Sequence, residues 1–118
     1  MLAKTARLTK SGDFARATKS GIRYSSANFV GYLYINSDSN ESARAGLIIG
    51  KSVGGSVVRH RLARKMRHCL REEYSNLQPG ALLVLRCLNN SSETDYPAEV
   101  IEVIKSLLKK AYERAAKR

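Results

Sequence analysis

Apolar positions along this chain change period several times, and each change marks an element. From Pro97 onward, Val100, Ile101, Val103, Ile104, Leu107, Leu108, Ala111 and Tyr112 recur at i, i+3, i+4 and i+7, the stripe of an amphipathic helix whose first turn Pro97 marks. "NFVGYLYIN" alternates instead, with Val30, Tyr32 and Tyr34 on one face and Phe29, Leu33 and Ile35 on the other, so it predicts a strand useful on both sides. "RAGLIIG" is apolar enough to be a central strand, "ALLVLRC" reads as a buried one, and "IRYS" is a shorter strand before them. "SGDFARATKSG" predicts a short first helix: Ser11 caps it, Asp13 suits its positive end and Gly21 stops it. Polar stretches "NSDSNES" and "LNNSSETD" and the turn "QPG" separate these elements. The order is helix, two or three strands, helix, strand, helix, with helices packed on a small sheet.

The remaining helix, Ser56 to about Tyr74, follows "KSVGG" and has two faces. At ~100° per residue, Val58, Leu62, Met66, Cys69 and Leu70 fall in one sector, with Ala63 on its edge. His60, Arg61, Arg64, Lys65, Arg67, His68 and Arg71 fill the opposite sector, without an acid among them. Arg59 projects toward the apolar side near the helix start. An ordinary solvated face mixes signs, because like charges at i, i+3 and i+4 repel; Arg61–Lys65, Arg64–Arg67 and Arg67–Arg71 are such pairs. The planar donor fork of arginine suits phosphate oxygens. The face therefore reads as a polyanion-binding surface. The glycines of "KSVGGSVV" fit either a backbone cradle for an anion at the helix start or a tight strand-to-helix turn. Phe14, Tyr32 and Tyr34 fit either stacking platforms for unpaired bases or plain core residues.

Composition supports the polyanion reading. The formal net charge is +11 on 118 residues with a sequence pI near 10.1, and such an excess costs self-repulsion in the compact state unless a partner offsets it. An apolar fraction of 43% fits a globular protein, and the length predicts one domain over 1–118. No apolar run approaches the ~18 residues that span a bilayer, and "MLAKTARLTKSGDF" lacks the apolar core of a signal peptide. Cys69 and Cys87 have no second ligand at metal-binding spacing and read as buried free thiols. The expected compartment is the cytoplasm, with no membrane contact.

A protein ribonuclease needs an acid and a base flanking one phosphate. His60 and His68 are eight residues apart, ~12 Å along one helix, and the acids are scattered. No pair suggests a two-metal site. No catalytic residue and no protein metal ligand are expected, so any chemistry belongs to another component.

"RAGLIIGKSVGGSVVRHRLARKMRHCLRE" resembles the signature of the bacterial ribonuclease P protein subunit, R-x-G-L followed by K-K-x-G-x-A-V-x-R-N-R-x-K-R-x-x-R. Arg44, Gly46, Lys51, Gly54, Val57, Arg59, Arg61, Arg64, Arg67 and Arg71 stand at the corresponding places, and Arg7, Leu8, Asp13, Phe14 and Gly21 match the family's opening. The resemblance implies the small subunit of a ribonucleoprotein endonuclease that removes the 5′ leader of precursor tRNA. Its RNA subunit is then the catalyst and holds most of the Mg²⁺, and no obligate protein partner is expected. Lys51, Arg59, His60, Arg61, Arg64, Lys65, Arg67, His68 and Arg71 would bind that RNA, and Phe14, Tyr32 and Arg7 would line a leader-binding cleft. The implied fold is an α+β two-layer sandwich of αβββαβα order with a left-handed β-α-β crossover, ribosomal protein S5 domain 2-like. The general preference for right-handed crossovers gives no route to that hand. The chain departs from the signature at Ser52 and Ala63, where the family carries Lys, and at His60, where it carries Asn; neutral His and Asn can both donate and accept. The alternative is a ribosomal-type RNA-binding protein without a processing role, which has no reason to join this arginine helix to "KSVGG".

Overall fold

The computed structural model describes residue 8 and residues 11–36, 41–88 and 96–116. Helix α1 (Ser11–Ser20) leads into β1 (Ile22–Ser25), β2 (Phe29–Ile35) and β3 (Arg44–Ile49). Helix α2 (Ser56–Glu73) then connects to β4 (Ala81–Cys87), and α3 (Tyr96–Ala116) closes the order. This is the expected αβββαβα succession, with "IRYS" realised as a strand. Helix α2 ends one residue before Tyr74 because the chain tightens there into a 3₁₀ turn, Tyr74–Asn76.

The strands form one sheet in the order β1-β2-β4-β3. β2 pairs antiparallel with both β1 and β4, while β3 and β4 are parallel. Parallel neighbours need a long connection between them, and α2 supplies it as the crossover of a β-α-β unit. β4 is therefore an inner strand beside β2, with Ala81 to Leu85 all buried. That explains its continuous apolar run: it must satisfy both faces. β3, expected to be central, lies instead at the sheet edge, because β4 inserts between it and β2.

Period-2 alternation divides the core. Phe29, Leu33, Leu83 and Leu85 meet Leu62, Met66 and Leu70 of α2 and Val100, Val103, Ile104 and Leu107 of α3 on one face. Each fully buried side chain of this kind contributes on the order of 1.5–3 kcal/mol. Sheet, α2 and α3 make the two-layer body of the molecule. Helix α1 lies across the other face, where Leu8, Ala17, Leu82 and Val84 are buried, flanked by Phe14, Tyr32, Tyr34 and Ile48.

Two expected core positions are not core. Tyr112 is 78% exposed, although Leu108 and Ala111 of the same stripe pack against the core. Val58 is 37% exposed, because the first turn of α2 stands clear of the residues that bury Leu62.

Polar contacts pin the connections. Glu99 of α3 accepts from Asn28 N at 2.8 Å, from Asn28 Nδ2 at 2.9 Å and from the Ser26 hydroxyl, holding the β1–β2 turn against the start of α3. Burial pushes the Glu99 carboxyl up, but the bonds from Ser26 and Asn28 outweigh it and hold the group below its ordinary range. The Tyr74 hydroxyl donates to Ala43 O at 2.6 Å, tying the end of α2 to the start of β3.

Candidate nucleic-acid interface

The arginine helix folds as its pattern requires. Leu62, Met66, Cys69 and Leu70 are buried against the sheet and α3, which fixes the rotation of α2 and turns the opposite sector outward. His60, Arg61, Arg64, Lys65, His68 and Arg71 are exposed, and Arg67 is half-buried at the flank. Among the described residues no carboxylate pairs with Arg61, Arg64 or Arg71; the nearest acid on the helix, Glu72, approaches His68 Nε2 at 3.4 Å. Arg61 to Arg71 thus present a cationic strip about 15 Å long at 1.5 Å per residue. Arg59 sits apart from it, half-buried, with its Nε enclosed and without a hydrogen-bond partner among the described residues.

The approach to α2 shows what the glycines do. Lys51 is exposed in a 3₁₀ turn that Val53 anchors by burial. At Gly54 a Cβ would lie 2.8 Å from Val58 Cγ1, so a side chain there would push α2 away from its own lead-in. Tight strand-to-helix passage is therefore a sufficient reason for that glycine. Gly55 is the N-cap of α2 and makes no side-chain capping bond.

A second cationic and aromatic surface lies on the α1 side of the sheet. Register puts Arg23, Tyr32, Val84 and Gly46 in one row across the four strands, and Ser25, Val30, Arg86 and Ile48 in the next. Phe14 rests directly on Gly46, where a Cβ would come within 2.8 Å of its ring. Phe14 and Tyr32, both half-buried, therefore flank Val84 on one surface. Arg7, the third residue expected there, lies outside the described residues. Sequence reasoning missed Arg86 and Arg23, both exposed on this face. The signal was available for Arg86: it shares the parity of Leu82 and Val84 and is the one charge in an otherwise buried strand.

The two surfaces share an end of the molecule. β3 runs past the Ile48–Arg86 row directly into Lys51 and the head of α2. Arg44 is used differently. Its guanidinium meets Asp13 at 3.4 Å and also Glu41, so it fastens α1 and the β3 lead-in rather than standing open.

Other features carry no comparable chemistry. Among the described residues no group of three or more His, Cys, Asp or Glu side chains is arranged to hold a metal ion, and no helix is long and apolar enough to cross a membrane. Cys69 and Cys87 are buried and, among the described residues, form no disulfide; burial, and then the charge of Glu72, push the Cys69 thiol up, away from reactivity. A cavity of about 490 Å³ opens at the far end of the sheet between Ile35, Leu77, Leu108 and Tyr112, lined mainly by aliphatic groups.

Comparison with known proteins agrees with this fold. The family model described as Ribonuclease P matches residues 2–112. A Mycobacteroides abscessus protein named ribonuclease P protein component is 40% identical over 97 residues, covering 78% of this chain and 76% of that protein. A Streptomyces avermitilis protein of the same name is 34% identical over 103 residues, covering 81% and 84%. Among solved structures, the Staphylococcus aureus RNase P protein superposes with a TM-score of 0.73 at 22% identity, covering 92% of this chain and 96% of that one, a likeness of fold. The Thermotoga maritima RNase P protein, solved in complex with 1-(4-fluorophenyl)-2-thiourea, gives a TM-score of 0.68 at 25% identity, covering 87% and 97%.

Proposed function

The chain belongs to the ribonuclease P protein family, and from that premise we propose that it is the protein subunit of a ribonucleoprotein endonuclease that removes the 5′ leader of precursor tRNA. Helix α2 docks on the catalytic RNA through Lys51, Arg59, His60, Arg61, Arg64, Lys65, Arg67, His68 and Arg71. The observation that carries this reading is the exposed strip of α2, in which Arg61, Arg64 and Arg71 have no carboxylate partner among the described residues. Each phosphate neutralised there releases counterions, so affinity falls steeply with salt.

The sheet face takes the single-stranded leader. Phe14 and Tyr32 offer aromatic surface for unstacked bases, Arg86 and Arg23 offer cations for the backbone, and Arg7 belongs to the same proposed cleft. Stacking on aromatics is tolerant of sequence, which suits leaders that differ from one tRNA to the next.

Cleavage itself belongs to the RNA subunit, and Mg²⁺ held mainly by that RNA would supply the metal-ion chemistry. The side chains of this chain bind, orient and screen charge: a cationic surface beside the RNA offsets repulsion between catalytic RNA and substrate, and so lowers the Mg²⁺ needed for assembly. His60, exposed at the place of the family's Asn, keeps a donor and an acceptor for RNA contact. The partners are then ribonuclease P RNA and precursor tRNA, and the compartment is the cytoplasm.

Cleavage of a precursor tRNA by in vitro transcribed ribonuclease P RNA at low Mg²⁺, with and without this protein, tests the reading. The protein is expected to raise cleavage at the mature 5′ end. A variant with alanine at Arg59, Arg61, Arg64 and Arg67 is expected to lose this effect and most of its affinity for the RNA. Stimulation by the four-alanine variant equal to that of the parent at moderate salt would sink the docking role of α2.

A further inference from the structure

Among the described residues the exposed large hydrophobics are Val57, Val58 and Tyr112, and two of these three are neighbours in the first turn of α2. Val57 is 69% exposed, so the free protein gains little from it as a core residue. It also costs helix stability, because a β-branched side chain is a poorer helix former than Ala, Arg or Lys. Its direction is the informative part. Arg64 and His68, seven and eleven positions further on, point within ~20° of Val57 at ~100° per residue. The valine therefore heads the cationic strip along its centre line and does not lie at the margin of the core. Val58 stands beside it at 37% exposure, with its Cγ1 against Gly54, so the glycine turn backs the pair from below.

The surroundings select the partner. Lys51, His60, Arg61 and Arg64 are exposed around the valines. A surface that covers this apolar spot must carry negative charge on its rim and apolar atoms at its centre. RNA has that composition at every nucleotide, with phosphates flanking ribose carbons and base faces, and its wide, shallow minor groove brings the riboses within reach of side chains.

We propose that Val57, backed by Val58, is an apolar anchor that packs on a nucleoside surface of ribonuclease P RNA amid the phosphate contacts of the arginines. The inference rests on the reading of α2 as the RNA-docking helix. It adds a part of the affinity that salt does not screen, because burying an apolar side chain releases no counterions.

Titration of in vitro transcribed ribonuclease P RNA with the full chain at several salt concentrations separates the two contributions. Val57→Ala is expected to keep or raise the melting temperature of the free protein, since alanine is the better helix former. The same variant is expected to weaken RNA binding by roughly three- to tenfold with an unchanged salt slope. Val57→Ile is expected to bind at least as well as the parent. Arg64→Ala is expected to lower the slope of log affinity against log salt by about one. Parental affinity in Val57→Ala, beside a weakened Arg64→Ala, overturns the anchor and leaves the docking helix standing. Parental affinity and slope in Arg64→Ala remove the docking reading itself. If the parent sediments as a dimer and Val57→Ala as a monomer, the valines serve a contact between copies and the anchor is overturned.

Discussion

Single residues in this chain are explained by what they touch, and Glu99 shows how far that reaches. Its carboxylate accepts from Asn28 N, Asn28 Nδ2 and the Ser26 hydroxyl, contacts that span more than seventy positions of sequence and join the β1–β2 turn to α3. Because its folded pKa lies below the ordinary carboxylate value of about 4.5, the group stabilises the fold above that pH, and the contribution is lost as pH falls through the folded value. Glu99→Gln is therefore expected to lower the melting temperature at pH 7 by roughly 2–5 °C. The gap from the parent should close as the pH drops below about 4.5 in thermal denaturation followed by circular dichroism. A gap of the same size at pH 3 and pH 7 would remove charge from the explanation. Nothing local announces this contact, since "SSAN" and "PAEV" are ordinary polar and helical stretches. Arg86 shows the reverse case: its parity was readable in "ALLVLRC", yet which surface it joined depended on register with Val30 and Ile48. Tyr112 and Val58 were misplaced because a helical wheel gives direction and not what covers each position.

At the scale of elements, α2 was the most legible part, because its core stripe and its cationic sector are both local patterns. The burial of Leu62, Met66, Cys69 and Leu70 follows from period alone. Strand order was not legible. That β4 inserts between β2 and β3 is a long-range pairing, and an apolar run shows that a strand is buried without saying what lies beside it. The charge on α2 also has a cost in the free protein, since Arg64 faces Arg61, Arg67 and His68 at i±3 and i+4 and no carboxylate among the described residues offsets it. Relieving like-charge pairs of this kind is worth ~0.2–0.5 kcal/mol each. Arg64→Ala is thus expected to leave the melting temperature unchanged or raise it by about 1–3 °C at low salt, with the gain fading above ~0.5 M salt. A clear loss of stability instead would give Arg64 a role in holding the fold.

For the whole molecule, the sheet separates the two proposed RNA-contacting surfaces, which the net charge of +11 would serve together. Helix α2 packs on one face of the sheet, whereas α1 and the Phe14–Tyr32–Arg86 surface occupy the other; sheet and helix layers stack at about 10 Å, so the surfaces share no side chain. Sites that far apart and without common partners act nearly additively. Alanine at Phe14, Tyr32 and Arg86 is expected to weaken binding of a leader-bearing precursor tRNA by about tenfold, with little change in affinity for mature tRNA or for the RNA subunit. Alanine at Arg61 and Arg64 is expected to weaken assembly with the RNA subunit and leave the preference for precursor over mature tRNA intact once the complex is saturated. Combining the two sets should therefore lose, in free energy, the sum of the separate losses to within ~0.5 kcal/mol, measured as precursor cleavage at subsaturating protein. A shortfall well beyond that margin would mean that leader and catalytic RNA meet one continuous surface at the end of the sheet where β3 leads from Ile48, paired with Arg86, to Lys51. The discriminating variant is then Lys51→Ala: on separate surfaces it follows the assembly set alone, and on a continuous one it lowers both assembly and the preference for precursor.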